Sequence, residues 1–80
     1  MQPDIVILDP PRRGCEPVVI KYLREKHVDR LVYVSCNPAT QARDLKLLCE
    51  GNRYQLTRIQ PIDFFPQTSH VEAIAFLKKA

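Results

Sequence analysis

The chain lacks any apolar run long enough to cross a bilayer. Stretches such as Ile5-Val6-Ile7-Leu8 fall far short of the roughly 20 residues that a spanning helix needs. No basic segment leads into an apolar stretch at the N-terminus, so no secretory signal is expected and the cytoplasm is the expected compartment. The three cysteines, Cys15, Cys36 and Cys49, cannot all pair within one chain and read as free thiols in a reducing environment. No Cys-x-x-Cys or similar ligand pair occurs, so no metal site is expected. Repeats and low-complexity tracts are absent from the sequence. No large excess of either charge is present: a net +3 leans towards polyanionic partners but is too weak to argue nucleic-acid binding by itself.

What is present is an ordinary globular composition, 45% apolar and 26% charged over 80 residues. That length allows one domain at most, near the size at which a single core is only marginally stabilising. Asp4 to Leu8 is a β-branched, continuously apolar run that suits a strand covered on both faces, and Pro10-Pro11 end it. Glu16 to Lys26 reads as a helix with Pro17 at its first turn and a stripe of Val19, Ile20 and Leu23. A second apolar run, Leu31 to Val34, leads to Asn37, which caps a helix starting at Pro38 and ending before Gly51. The buried face of that helix is expected to be Ala42, Leu45, Leu48 and Cys49, with Arg43, Lys46 and Glu50 outside. Tyr54–Ile59 and Val71–Lys78 are two further strands, joined by a turn-rich segment with two prolines and two phenylalanines. This order predicts an α/β sheet with two parallel strand-helix units followed by an antiparallel strand pair. The first strand is of a central type yet opens the chain, so the 80 residues are expected to be half of a domain.

Ligands of open parallel sheets bind outside the carboxyl ends of the strands. Asp9 ends the first strand, Cys36 follows the second, and the last strand, running the other way, begins at the same rim with His70 and Glu72. If the first two strands are neighbours, their backbones lie about 5 Å apart. Cys36 directly precedes a helix whose N-terminal dipole favours a thiolate. Glu72 is a carboxylate in an otherwise apolar strand, a placement suited to general-base work, and it shares a face with His70. Local pattern alone favours blander readings. A cysteine near a strand end is more often a small buried hydrophobe, Glu72 a solvent-facing strand residue and His70 a packing residue. Asp9 is as readily a turn cap, and Arg12 and Arg13 a solvated pair. Phe64 and Phe65 read as loop anchors, and Cys15 and Cys49 as structural.

Three segments change that balance. They are Asp9-Pro10-Pro11-Arg12-Arg13-Gly14, then Val34-Ser35-Cys36-Asn37-Pro38-Ala39-Thr40 with Arg43-Asp44, and Asp63-Phe64-Phe65-Pro66-Gln67-Thr68-Ser69-His70-Val71-Glu72. Together, from Asp4 to Leu77, they resemble the RNA uracil-5 methyltransferase family. The resemblance implies the C-terminal half of a Rossmann-like, class I methyltransferase domain over residues 1–80, using S-adenosylmethionine. It implies Cys36 as nucleophile, Glu72 as proton acceptor and Asp9 at the meeting point of cofactor and target base. Pro10, Arg13, Asn37 and His70 are implied contacts to the substrate. The expected reaction methylates C5 of a specific uridine in RNA through a covalent adduct of Cys36 with C6. Ribosomal RNA, 23S in particular, is the first choice because Asn37-Pro38-Ala39-Thr40 with Ala42-Arg43-Asp44 looks closer to that branch; transfer RNA is the alternative. The family's glycine-rich cofactor loop has no counterpart here, so the isolated 80 residues are expected to be inactive without a missing N-terminal half.

Two other classes stand beside this one. An amino-group nucleic-acid methyltransferase would use Asp-Pro-Pro followed by an aromatic, where this chain has Arg12, and would leave Cys36 without a role. A non-catalytic folding or interaction module would associate through an unpaired sheet edge. A cysteine hydrolase built on Cys36 and His70 has neither an oxyanion motif nor an orienting partner.

Overall fold

A computed structural model describes residues 5–26, 28–62 and 72–80. Along them run β1 (Ile5–Leu8), α1 (Pro17–Lys26), β2 (Arg30–Ser35), α2 (Pro38–Cys49), a 3-10 turn (Glu50–Asn52), β3 (Tyr54–Ile62) and β4 (Glu72–Lys79). The helices begin and end where local chemistry dictates. The Oδ1 of Asn37 accepts from the amides of Ala39 and Thr40, satisfying donors that the first turn of α2 leaves open. At the other end Gly51 takes the left-handed conformation, φ 69°, that terminates the helix. Arg24 of α1 closes the same terminus by donating to the carbonyls of Leu47 (2.5 Å) and Glu50 (2.8 Å).

The sheet order is β1-β2-β4-β3. β1 and β2 are parallel, and β4 lies antiparallel between β2 and β3. The expected α/β sheet, with its parallel first pair and antiparallel last pair, is therefore present, and β4 inserts between the parallel strands of the second crossover. β3 continues past Ile59 through Pro61, which an edge strand tolerates because its outer side needs no ladder donor. Its register shifts at Thr57, whose hydroxyl donates to the carbonyl of Phe76 at 2.9 Å.

Both helices cover one face of this sheet. Leu31, Tyr33, Ala75 and Leu77 from the central strands pack with Ile20, Leu23, Leu45 and Leu48 from the helices. Two crossovers of one hand that advance the same way across a sheet leave their helices on the same side. The other face, with Ile5, Ile7, Val32, Val34, Ile74 and Phe76, has no layer over it within the described residues, and Ile7 is 69% exposed. β1 is thus covered on one face rather than two.

The helix faces depart from expectation in an informative way. In α2 the buried stripe is Gln41, Asp44, Leu45 and Leu48, while Ala42 is exposed and Cys49 only half-buried. Two polar side chains take core positions because each finds buried partners. The Nε2 of Gln41 donates to the carbonyls of Tyr33 (3.2 Å) and Ala73 (3.1 Å), and Asp44 is described below. In α1, Ile20 and Leu23 are buried as expected, but Val19 is exposed.

Candidate active site

The antiparallel register of β2 and β4 pairs Ser35 with Ala73. Cys36 directly follows this last pair on one strand and Glu72 directly precedes it on the other, so both stand at the same end of the two strands. Ala73 faces the helix layer and is buried, so by alternation Glu72 belongs to the open face of β4; Glu72 and Cys36 are both half-buried. Gln41 fastens this corner from beneath, since its two carbonyl partners lie one on each of the paired strands.

Cys36 sits in a tight link between strand and helix. The amide of Asn37 donates to the Ser35 hydroxyl (3.0 Å), which in turn donates to the carbonyl of Asn37 (3.1 Å). The first-turn amides of Ala39 and Thr40 are engaged by Asn37 itself. What α2 offers Cys36 is therefore the positive end of its dipole.

Asp9 and Pro10 follow β1 at the same rim. Leu8, opposite Tyr33, is the last paired residue of β1, and Asp9 follows it towards the end of the sheet that leads to Cys36. Asp9 is exposed, and with Pro10, Pro11, Arg13 and Gly14 it lines a concavity of about 330 Å³. A larger cavity, about 600 Å³, lies between α1 and α2 among Ile20, Arg24 and Leu47, and reaches Cys15, Arg43 and Asp44 behind the rim turn. Arg13 is exposed and makes an ion pair with Glu16 at 3.0 Å, a contact that solvent and salt readily exchange. His70 and the rest of the segment from Asp63 to Val71 lie outside the described residues, as does Asp4.

Asn37 proves to be a structural hub as well as a rim residue, because its Nδ2 donates to the carbonyl of Arg12 (3.1 Å) while its Oδ1 caps α2. The turn from Pro11 to Gly14 is closed by the Gly14 amide on the Pro11 carbonyl (2.8 Å) and is held from α2 at further points. The Thr40 hydroxyl donates to Arg12 O (2.8 Å), and Arg43 Nη2 donates to Arg13 O (2.8 Å). Asp44, with no exposed surface, accepts from the Cys15 amide (2.7 Å) and the Tyr33 hydroxyl (2.6 Å) on one oxygen and from Arg43 on the other. Burial, then the Asp44 hydrogen bond, raise the Tyr33 phenol above its ordinary range. Burial first, then the Asp44 charge, push the Cys15 thiol up to about 11, as expected of a structural cysteine. Sequence reasoning missed Tyr33, Gln41 and Asp44 as site-building residues. The usable signal was the spacing 41, 44, 45, 48, which puts two polar residues on the stripe of Leu45 and Leu48. Among the described residues no cluster of three potential metal ligands occurs.

Known proteins share this sequence and fold. The sequence model of the tRNA (uracil-5-)-methyltransferase family matches residues 1–80. An uncharacterized RNA methyltransferase of Nostoc sp. is 61% identical over 75 residues, covering 94% of this chain and 16% of that one. Another, from Enterococcus faecalis, is 52% identical over 80 residues, covering 100% of this chain and 17% of that one. Among solved structures, Pyrococcus abyssi tRNA (uracil-54, C5)-methyltransferase in complex with S-adenosyl-L-homocysteine superposes with a TM-score of 0.83 at 47% identity, over 92% of this chain and 18% of that one. The chain thus spans about one sixth of the length of the curated relatives it matches. With the family sequence model matched from end to end and the fold shared with a solved uracil methyltransferase, the chain belongs to the tRNA (uracil-5-)-methyltransferase family.

Proposed function

We propose that these residues supply the nucleophile and the base of an enzyme that methylates C5 of uridine in RNA, as the C-terminal part of a class I S-adenosylmethionine-dependent domain in a longer chain. The observation that supports this reading is the β2–β4 register, whose last pair, Ser35 with Ala73, leaves Cys36 and Glu72 as the next residues at one end of two neighbouring strands. A thiolate and a carboxylate so arranged can act in succession on neighbouring atoms of one ring.

C5 of uracil is too weakly nucleophilic to take a methyl group from a sulfonium without activation. Addition of the Cys36 thiolate to C6 forms a C–S bond and moves the ring π electrons onto C5 and O4, giving an enolate. Bound S-adenosylmethionine would supply the methyl group, its S–CH3 bond breaking as the C5–CH3 bond forms and S-adenosylhomocysteine leaving as the neutral thioether. Glu72 takes the proton from C5, and the released electron pair restores the C5–C6 double bond as the C6–S bond breaks and Cys36 leaves. Reaching these groups requires the target base to leave its stack.

The residues present fit one edge of a site for that donor. Asp9 is an exposed carboxylate at the carboxyl end of β1, suited to a cationic ligand. With only Gly14 and Gly51 in the chain, no glycine-rich loop is supplied here, and the remainder of the site belongs elsewhere in the longer protein. Around the target nucleotide we assign Pro10, Arg13 and His70 to direct contact, and Asn37 to the same region through the turn it holds.

Ribosomal RNA is the first substrate reading, on the resemblance of Asn37-Pro38-Ala39-Thr40 with Ala42-Arg43-Asp44. Transfer RNA is the second, favoured by the family description and by the substrate of the Pyrococcus enzyme. Methylation of the two RNA classes by the full-length protein separates them. The catalytic reading is tested with Glu72→Gln in that protein. An amide cannot remove the C5 proton, so a methylated RNA–protein adduct on Cys36 is expected to accumulate with ordinary RNA and to be visible by intact mass. Normal turnover by this variant would contradict the assignment of the base.

A further inference from the structure

The first two of the three motifs that carry the resemblance are hydrogen-bonded to each other, and the geometry points to Asp44 as a positioning residue that fixes the Asp9 rim relative to Cys36. The inference rests on the reaction proposed above and adds a residue to it. Cys36 and Asp9 stand at the ends of different strands, and about 27 residues of sequence separate them. Strand pairing alone ends at Leu8, so beyond it the path of Asp9-Pro10 depends on how the following turn is held.

That turn is gripped along one side by α2, the helix that starts next to Cys36. Asn37 and Thr40 take the Arg12 carbonyl, Arg43 takes the Arg13 carbonyl, and Asp44 takes the Cys15 amide. Asp44 is the centre of the arrangement. It joins the turn (Cys15), the strand that leads to Cys36 (Tyr33 of β2) and the helix (Arg43) through one buried carboxylate. Gly14 completes the fit: at φ 90° it passes so close that a Cβ would come within 2.6 Å of both Arg43 Nη2 and Asp44 Oδ2. A carboxylate is required because four donors converge on it. An amide in its place would turn an NH2 group towards two of them. Displacements of about 1 Å at a reacting centre are enough to cost two orders of magnitude in rate, so such a post acts on the chemical step.

The test is Asp44→Asn in the full-length protein, with Tyr33→Phe as a milder variant that removes one of the four donors. Tyr54→Phe is the control. Its hydroxyl is a comparably buried tie, donating to Leu23 O (2.5 Å) and accepting from the Val28 amide (2.9 Å), at the far end of the sheet. At saturating RNA and S-adenosylmethionine, and at a temperature where all variants are folded, Asp44→Asn is expected to lower kcat at least tenfold, with each KM within threefold. Tyr33→Phe is expected to fall between it and wild type, and Tyr54→Phe within twofold of wild type. Hydrogen exchange reads the grip without reference to activity: the Cys15 amide, protected in wild type, is expected to exchange rapidly in Asp44→Asn. Equal kcat in Asp44→Asn, Tyr33→Phe and wild type would overturn the proposal, as would unchanged Cys15 protection. Absence of uracil methylation by wild type would instead overturn the reaction on which it rests.

Discussion

At the scale of single residues, Gly14 and Cys15 are the most constrained positions near the rim. Replacing Gly14 by alanine combines a left-handed backbone with a Cβ at 2.6 Å from two side-chain atoms. A destabilisation of about 1–3 kcal/mol is expected, measurable by urea unfolding; a neutral result would mean that the turn is not held as described. Cys15 gives a pH signature. Its folded-state value is raised from 9.0 to about 11, so the folded protein keeps that proton longer than the unfolded chain. The resulting stability is complete below about pH 9 and is lost as pH rises through about 11, with Tyr33 contributing in the same direction. Unfolding free energy measured across this window is expected to decline, and Cys15→Ala is expected to flatten part of the decline. Cys36, Glu72 and Asp9 were legible as candidates because strand ends of an open sheet gather at one rim. Asp44 and Gln41 were not, because hydropathy patterning treats a buried polar residue as a surface one until its partners are known.

At the scale of elements, the boundaries came from local signals that the structure keeps: Pro17 and Pro38 in first turns, Asn37 as a cap, Gly51 as a stop. One extent and one strand order were not legible. β3 runs on through Pro61 because it lies at an edge, and a sequence does not state which strands are edges. The insertion of β4 between β2 and β3 likewise follows from pairing across distant residues rather than from periodicity. The α1–β3 junction offers a direct check on element packing. Tyr54 joins the Leu23 carbonyl to the Val28 amide, and burial raises its phenol. Tyr54→Phe is expected to destabilise by about 1–2 kcal/mol, since a buried donor and acceptor lose their partner; a shift below about 0.3 kcal/mol by chemical denaturation would contradict that role.

At the scale of the whole molecule, one face of the sheet carries the helices and the other carries an apolar stripe with Cys36 and Glu72 at its rim. β1 looks fit for burial on both faces, yet among the described residues Ile5 and Ile7 stand exposed on the open one. The 80 residues taken alone are therefore expected to self-associate through that face, with sedimentation shifting as concentration rises, and to show no measurable methyl transfer. A strictly monomeric or a catalytically active isolated chain would contradict this. The central claim, that Cys36 attacks C6 of uracil, is tested most directly in the full-length protein with S-adenosylmethionine and RNA carrying 5-fluorouridine. Fluorine at C5 leaves no proton for Glu72 to remove, so the covalent complex should accumulate. The account predicts an adduct by intact mass that peptide mapping assigns to Cys36 and that Cys36→Ala abolishes. Methylation of ordinary RNA with no adduct on Cys36 would contradict it.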